Sequence, residues 1–89
     1  MSLDQLEAKT KWIAAEVFAQ FGMVLSIEST GVSFIRSFMK DTCTMVVLGE
    51  VLPDASAIMD VMERKFFDAF TEVTMERHGA ESISITVHA

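Results

Sequence analysis

Apolar side chains recur along this 89-residue chain with two periods, one near 3.6 residues and one of 2, and the switches between them mark its elements. The longest helical stretch runs from Pro53 to Gly79. Within it Ala55, Ile58, Met59, Met62, Phe66, Ala69, Phe70 and Val73 share one arc, opposite Asp60, Arg64, Asp68, Thr71 and Glu72. Pro53 and Asp54 suit a helix start, because proline lacks a donor the first turn cannot use and aspartate can cap free amides. Arg77 and His78 suit the negative end of the dipole, and Gly79 suits a left-handed C-terminal cap. Unbroken, such a helix of about 25 residues would span about 37 Å. That is long for a domain with an expected radius of gyration of about 12 Å. The pattern therefore predicts either fraying near the β-branched Thr71, Val73 and Thr74 or extension across a second subunit.

Ser2 to Phe21 reads as an earlier helix, with Ser2 and Gln5 at capping-box spacing. Leu3, Leu6, Ile13, Ala14, Val17, Phe18 and Phe21 form its main stripe, and Ala8, Trp12, Ala15 and Ala19 form a second. Two apolar stripes need two surfaces to pack against. A sheet covers the first, and a neighbouring helix or a symmetry mate the second.

Period-2 stretches follow. Met23 to Glu28 predicts a strand, Ser29-Thr30-Gly31 a turn, and Val32 to Met39 a second strand with Val32, Phe34 and Phe38 on one face. Arg36 interrupts its apolar row, as a snorkelling residue at an edge does. Lys40-Asp41-Thr42 is a hairpin connection. Cys43 to Leu52 carries apolar residues on both faces, which predicts a strand covered on both sides, and Gly49 marks a bulge or a close approach. Ser82 to His88 alternates cleanly, with Ile83, Ile85 and Val87 on one face. The order is α-β-β-β-α-β. It predicts one α+β domain over residues 1–89, with two helices packed on one face of a four-stranded, mostly antiparallel sheet. Crossover through a long second helix would set the last strand parallel to the strand before it.

Composition adds a surplus. The chain is 51% apolar with a mean hydropathy of +0.36, and a chain this short buries a smaller share of its surface than a larger one does. The excess points outward, to a homodimer or other homo-oligomer, or to a protein partner. Trp12 and Phe67 are candidate partner-binding residues, with Val61 and Met75, because all four lie off the main apolar arcs of their predicted helices. The seven methionines and seven phenylalanines read chiefly as core filling. A hydrophobic-ligand groove lined by Met23, Phe34, Phe38, Met59, Met62 and Phe66 is the sharper alternative.

Charge narrows the partners. The formal net charge is −6, of which residues 54–81 contribute −4 from seven acids and three bases. Such a surface cannot bind phosphates by counterion release, so nucleic acid is not expected as a ligand. An acidic inhibitor that occupies a nucleic-acid-binding surface on another protein is a further alternative. No apolar run reaches the ~20 residues of a membrane span, so no membrane partner is expected. The lone Cys43 fits a reducing, cytoplasmic setting and reads as an inert core thiol.

Chemistry is sparse. His78 and His88, the only histidines, have no ligand-spaced Cys, Asp or Glu beyond ordinary helix neighbours, so no metal is expected. There is no glycine-rich phosphate loop, no base is placed beside Cys43, and no catalytic residue or cofactor is assigned. The function expected from these features is a non-enzymatic, homo-oligomeric interaction module of an adaptor or regulatory kind. A small hydrophobic-ligand carrier or sensor stands as its alternative, beside the acidic inhibitor.

Overall fold

A computed structural model describes residues 1–25 and 31–89. They form an α+β fold in which helices pack against a four-stranded antiparallel sheet. The elements are α1 (Leu3–Gln20), β1 (Val32–Ser37), β2 (Thr42–Leu48), a 3-10 turn (Gly49–Val51), α2 (Ala55–Ala69), β3 (Val73–His78) and β4 (Ser82–His88). The sheet runs β1-β2-β4-β3, and every neighbouring pair is antiparallel.

Helix α1 begins as its sequence dictates. The Ser2 hydroxyl accepts from the Gln5 amide at 3.2 Å, and the Ser2 amide donates to Gln5 Oε1 at 3.0 Å. Helix α2 starts differently. Asp54 precedes it with φ 53° and makes no side-chain cap, so the expected aspartate cap is replaced by a left-handed turn.

The expected order α-β-β-β-α-β gives way to α-β-β-α-β-β among the described residues. The helix foreseen from Pro53 to Gly79 ends at Ala69, where Phe70 turns extended, and Val73 to His78 becomes a strand. Val73 had fitted the helical arc, but Val73, Met75 and Arg77 also alternate with Thr74, Glu76 and His78, and pairing with β4 selects the period of 2. Gly79 does take positive φ, at 55°, though in the β3–β4 turn rather than at a helix end. The crossover through α2 therefore ends at β3, which runs parallel to β2, and the β3–β4 turn brings β4 back antiparallel between the two. Of the strand foreseen at Met23 to Glu28, Met23, Val24 and Leu25 lie in no strand, and the remainder lies outside the described residues, as do Ser29 and Thr30 of the foreseen turn.

The core lies between the helices and one sheet face. Register stacks Phe34, Met45, Ile85 and Met75 in one row across the four strands. Met45, Val47, Ile83, Ile85 and Val87 are fully buried beneath Leu6, Val17, Ile58, Met59, Met62 and Phe66 of the two helices. Lys9 of α1 donates to the Ala69 carbonyl at the end of α2 at 3.1 Å, and Gln20 borders Val61, so the helices run antiparallel. The expectation that β2 is covered on both faces is corrected. Cys43, Met45 and Val47 are buried, whereas Thr44, Val46 and Leu48 point to the open face and are half-buried or exposed. Gly49 makes the foreseen close approach: a β-carbon there would sit 1.8 Å from the Ala80 carbonyl oxygen.

Candidate functional site

The four candidate partner-binding residues separate into two classes. Trp12 is 64% exposed and Phe67 49%, on the outer surfaces of α1 and α2. Val61 and Met75 are half-buried and pack against the core. The second stripe of α1 is not covered by α2: Ala8, Trp12 and Ala19 face solvent and only Ala15 is half-buried. The neighbouring helix therefore does not cover this stripe: α2 meets α1 along the side that carries Lys9 and Gln20 instead.

That open stripe borders a groove. Lys11, Trp12 and Ala15 of α1, together with Leu25, Val32, Ser33 and Phe34, line a hollow of about 520 Å³ between the helix and β1. The Lys11 ammonium lies 5.5 Å from the Phe34 ring centroid and also pairs with Glu7 at 2.7 Å, so it forms a polar rim over an aromatic floor. Exposed apolar side chains surround the same strand. Ile35 is 55% exposed on the open face, and Phe38 and Met39 stand out from the β1–β2 turn, Met39 almost wholly. The hydrophobic groove foreseen from sequence does not assemble: Met59, Met62 and Phe66 are fully buried core residues, while Phe38 lies at the exposed turn.

Two arginines tie the edge strands to the helices. Arg36 of β1 pairs with Asp4 at 2.7 Å and donates to Glu7. Arg77 of β3 pairs with Asp60 at 2.6 Å and Glu63 at 3.4 Å, and donates to the Ser56 carbonyl at 3.3 Å. The likeness is written in the chain. Leu3-Asp4-Gln5-Leu6-Glu7-Ala8-Lys9 matches Met59-Asp60-Val61-Met62-Glu63-Arg64-Lys65, and Val32-Ser33-Phe34-Ile35-Arg36 matches Val73-Thr74-Met75-Glu76-Arg77. Two α-β-β halves thus meet at the β2–β4 pair with equivalent edges, β1 and β3, facing outward. A fixed-period search misses the repeat, since twenty-two residues separate Lys9 from Val32 but only seven separate Lys65 from Val73.

The halves differ in charge. Residues 1–48 hold five acids and four bases, a net −1, and residues 49–89 hold eight acids and three bases, a net −5. At the equivalent open-face position β1 carries Ile35 where β3 carries Glu76. Phe67 sits in the acidic half, lining a hollow with Asp60, Glu63, Arg64 and Asp68. Two of those acids are already engaged by Arg77, so the acidic helix is not a row of unpaired, phosphate-like charges.

Reactive groups do not converge. Cys43 is a buried free thiol, and burial, reinforced by the Glu7 charge, pushes its pKa up, which favours the unreactive protonated form. His78 ends β3, not a helix as expected, and His88 ends β4, its Nδ1 lying 4.0 Å from Glu72. Among the described residues no three His, Cys, Asp or Glu side chains are grouped to hold a metal ion, and no helix is long and apolar enough to cross a membrane. Compared with known proteins, the chain matches no family model, no curated protein and no solved structure.

Proposed function

We propose that this protein is a non-enzymatic, homo-oligomeric interaction module of the cytoplasm, serving as an adaptor or regulator through self-association and partner binding. The observation that carries the reading is the gathering of exposed apolar side chains, Trp12, Ile35, Phe38, Met39 and Leu48, in the half of the molecule whose net charge is only −1. A small protein gains by covering such a surface, and charge does not oppose bringing two copies of it together. The cytoplasmic setting is supported by the unpaired, buried thiol of Cys43, which has no disulfide to form within the chain.

Absolute mass by light scattering across a dilution series tests this reading. A 9.9 kDa chain should scatter as a dimer or larger assembly at micromolar concentration. A monomer at every concentration would sink the homo-oligomeric reading.

A further inference from the structure

We propose that β1 is the self-association surface, and that two copies of the chain join β1 to β1 in antiparallel fashion to make one continuous eight-stranded sheet. This rests on the homo-oligomeric reading above and goes further by naming the surface and its register.

The backbone supplies the first argument. The Leu48 amide donates to the Gly31 carbonyl at 2.7 Å, and Val32 lies opposite Val47, so Gly31 and Leu48 form a hydrogen-bonded pair. Alternation along an antiparallel ladder then directs the amides and carbonyls of Ser33, Ile35 and Ser37 toward β2. Those of Val32, Phe34 and Arg36 point away from the sheet, at an edge with no neighbouring strand among the described residues. An unpaired edge is a template for another strand.

Comparison of the two edges supplies the second. β3 presents its equivalent backbone groups, but Glu76 stands on its open face and the surrounding half carries −5. A charge on an edge strand is a guard against pairing. β1 has Ile35 in that place, an aromatic groove on its helix side, and a half of net −1 around it. Its single charge, Arg36, is already balanced by Asp4 and Glu7. Two copies meeting at β3 would bring two strongly acidic halves together. Two copies meeting at β1 would not, and this is why a second copy fits the edge.

Symmetry sets the register. A two-fold axis at Phe34 pairs Phe34 with its own equivalent and Val32 with Arg36, using all three outward residues of each strand in about six hydrogen bonds. Ser33 then faces the second copy's Ile35 on the open side. On the helix side the two Phe34 rings meet beneath the two Trp12 side chains.

The experiment combines mass with two kinds of variant. Ile35→Glu installs on β1 the guard that β3 already carries, at an exposed position where the matching half tolerates glutamate. Val32→Pro removes an outward amide at the first residue of an edge strand, where proline costs no ladder bond. Each should weaken dimerisation at least tenfold in light scattering, with the circular dichroism of the fold retained. Under mild oxidation the pair Ser33→Cys/Ile35→Cys should yield a covalent dimer, whereas Ile35→Cys/Ser37→Cys should not, since the register leaves residue 37 without a cysteine opposite. A dimer that persists unchanged in folded Ile35→Glu and Val32→Pro, with no selective cross-link, overturns the β1 edge and leaves the homo-oligomeric reading standing. A wild-type protein that is monomeric throughout overturns both.

Discussion

At Gly49 a single hydrogen in place of a side chain lets two segments touch. The Gly49 amide donates to the Glu81 carbonyl at 2.7 Å, and a β-carbon would lie 1.8 Å from the Ala80 carbonyl oxygen, so the turn after β2 and the turn before β4 meet backbone to backbone. Neither atom is the end of a flexible side chain, and relief requires moving main chain. Gly49→Ala should therefore lower stability by about 3 kcal/mol, read as a shift in the urea midpoint at unchanged slope. The close approach was legible in the sequence, since a lone glycine in an apolar run has few other uses. Its partner was not, because Ala80 adjoins Gly49 only once β4 pairs with β2.

At the scale of elements, each edge strand is fastened to one helix by an arginine between two acids. Glu7 is the most engaged of these acids: hydrogen bonds from Lys11 and Arg36 hold its carboxyl below the usual value of 4.5. A carboxyl whose folded pKa is depressed contributes its stabilisation in full above the unfolded value and loses it as pH falls through the folded one. The difference in melting temperature between wild type and Glu7→Gln should therefore be constant from about pH 6 to 7 and shrink below about pH 4.5. A difference that stays constant down to pH 3 would show that the α1–β1 clamp contributes nothing through ionisation. The sequence placed Arg36 at an edge by its break in the apolar row. It did not show the acids that meet it, which lie some thirty residues earlier in the chain.

The same scale explains why α2 ends at Ala69 and a strand follows it. Phe66, Ala69, Phe70 and Val73 lie within one helical arc, and Arg77, His78 and Gly79 imitate a helix end. Residues 73–78 also satisfy a strand, and local pattern does not rank the two. Length does, because a helix of about 37 Å has no counterpart to cover it in a molecule with a radius of gyration of 12.1 Å and a longest extent of 34 Å. Folding the segment back places Val73 and Met75 against the core, brings Arg77 to the acids of α2 and gives β4 a second neighbour.

For the whole molecule, charge and apolar surface are spread unevenly: residues 1–48 carry a net −1 and most of the large exposed apolar side chains, and residues 49–89 carry −5. Trp12, the only tryptophan, lines the groove beside β1 and is 64% exposed, so it reports on that half alone. Its emission maximum should move to shorter wavelength as protein concentration rises through the dimerisation range, and the shift should be absent in Ile35→Glu. If two copies join at β1 as proposed, the joining halves are nearly neutral in net charge, and the midpoint of that shift should change less than about threefold between 0.05 and 0.5 M salt. A steep weakening with salt would place the contact on charged surface instead.

What the sequence determined by itself was local: the capped start of α1, the alternating strands β1 and β4, the left-handed glycines, the α+β class and the surplus of apolar surface. Each follows from periodicity or from the conformational needs of one residue, which neighbours in the chain suffice to express. The tertiary structure alone decided that residues 73–78 are a strand, that β4 lies between β2 and β3, that Val61 and Met75 face the core while Trp12 faces a groove, and that Asp60 and Glu63 are held by Arg77. Those outcomes depend on which surfaces cover one another. Burial and pairing are properties of the assembled chain, and a pattern that fits two elements is settled only by what packs against it.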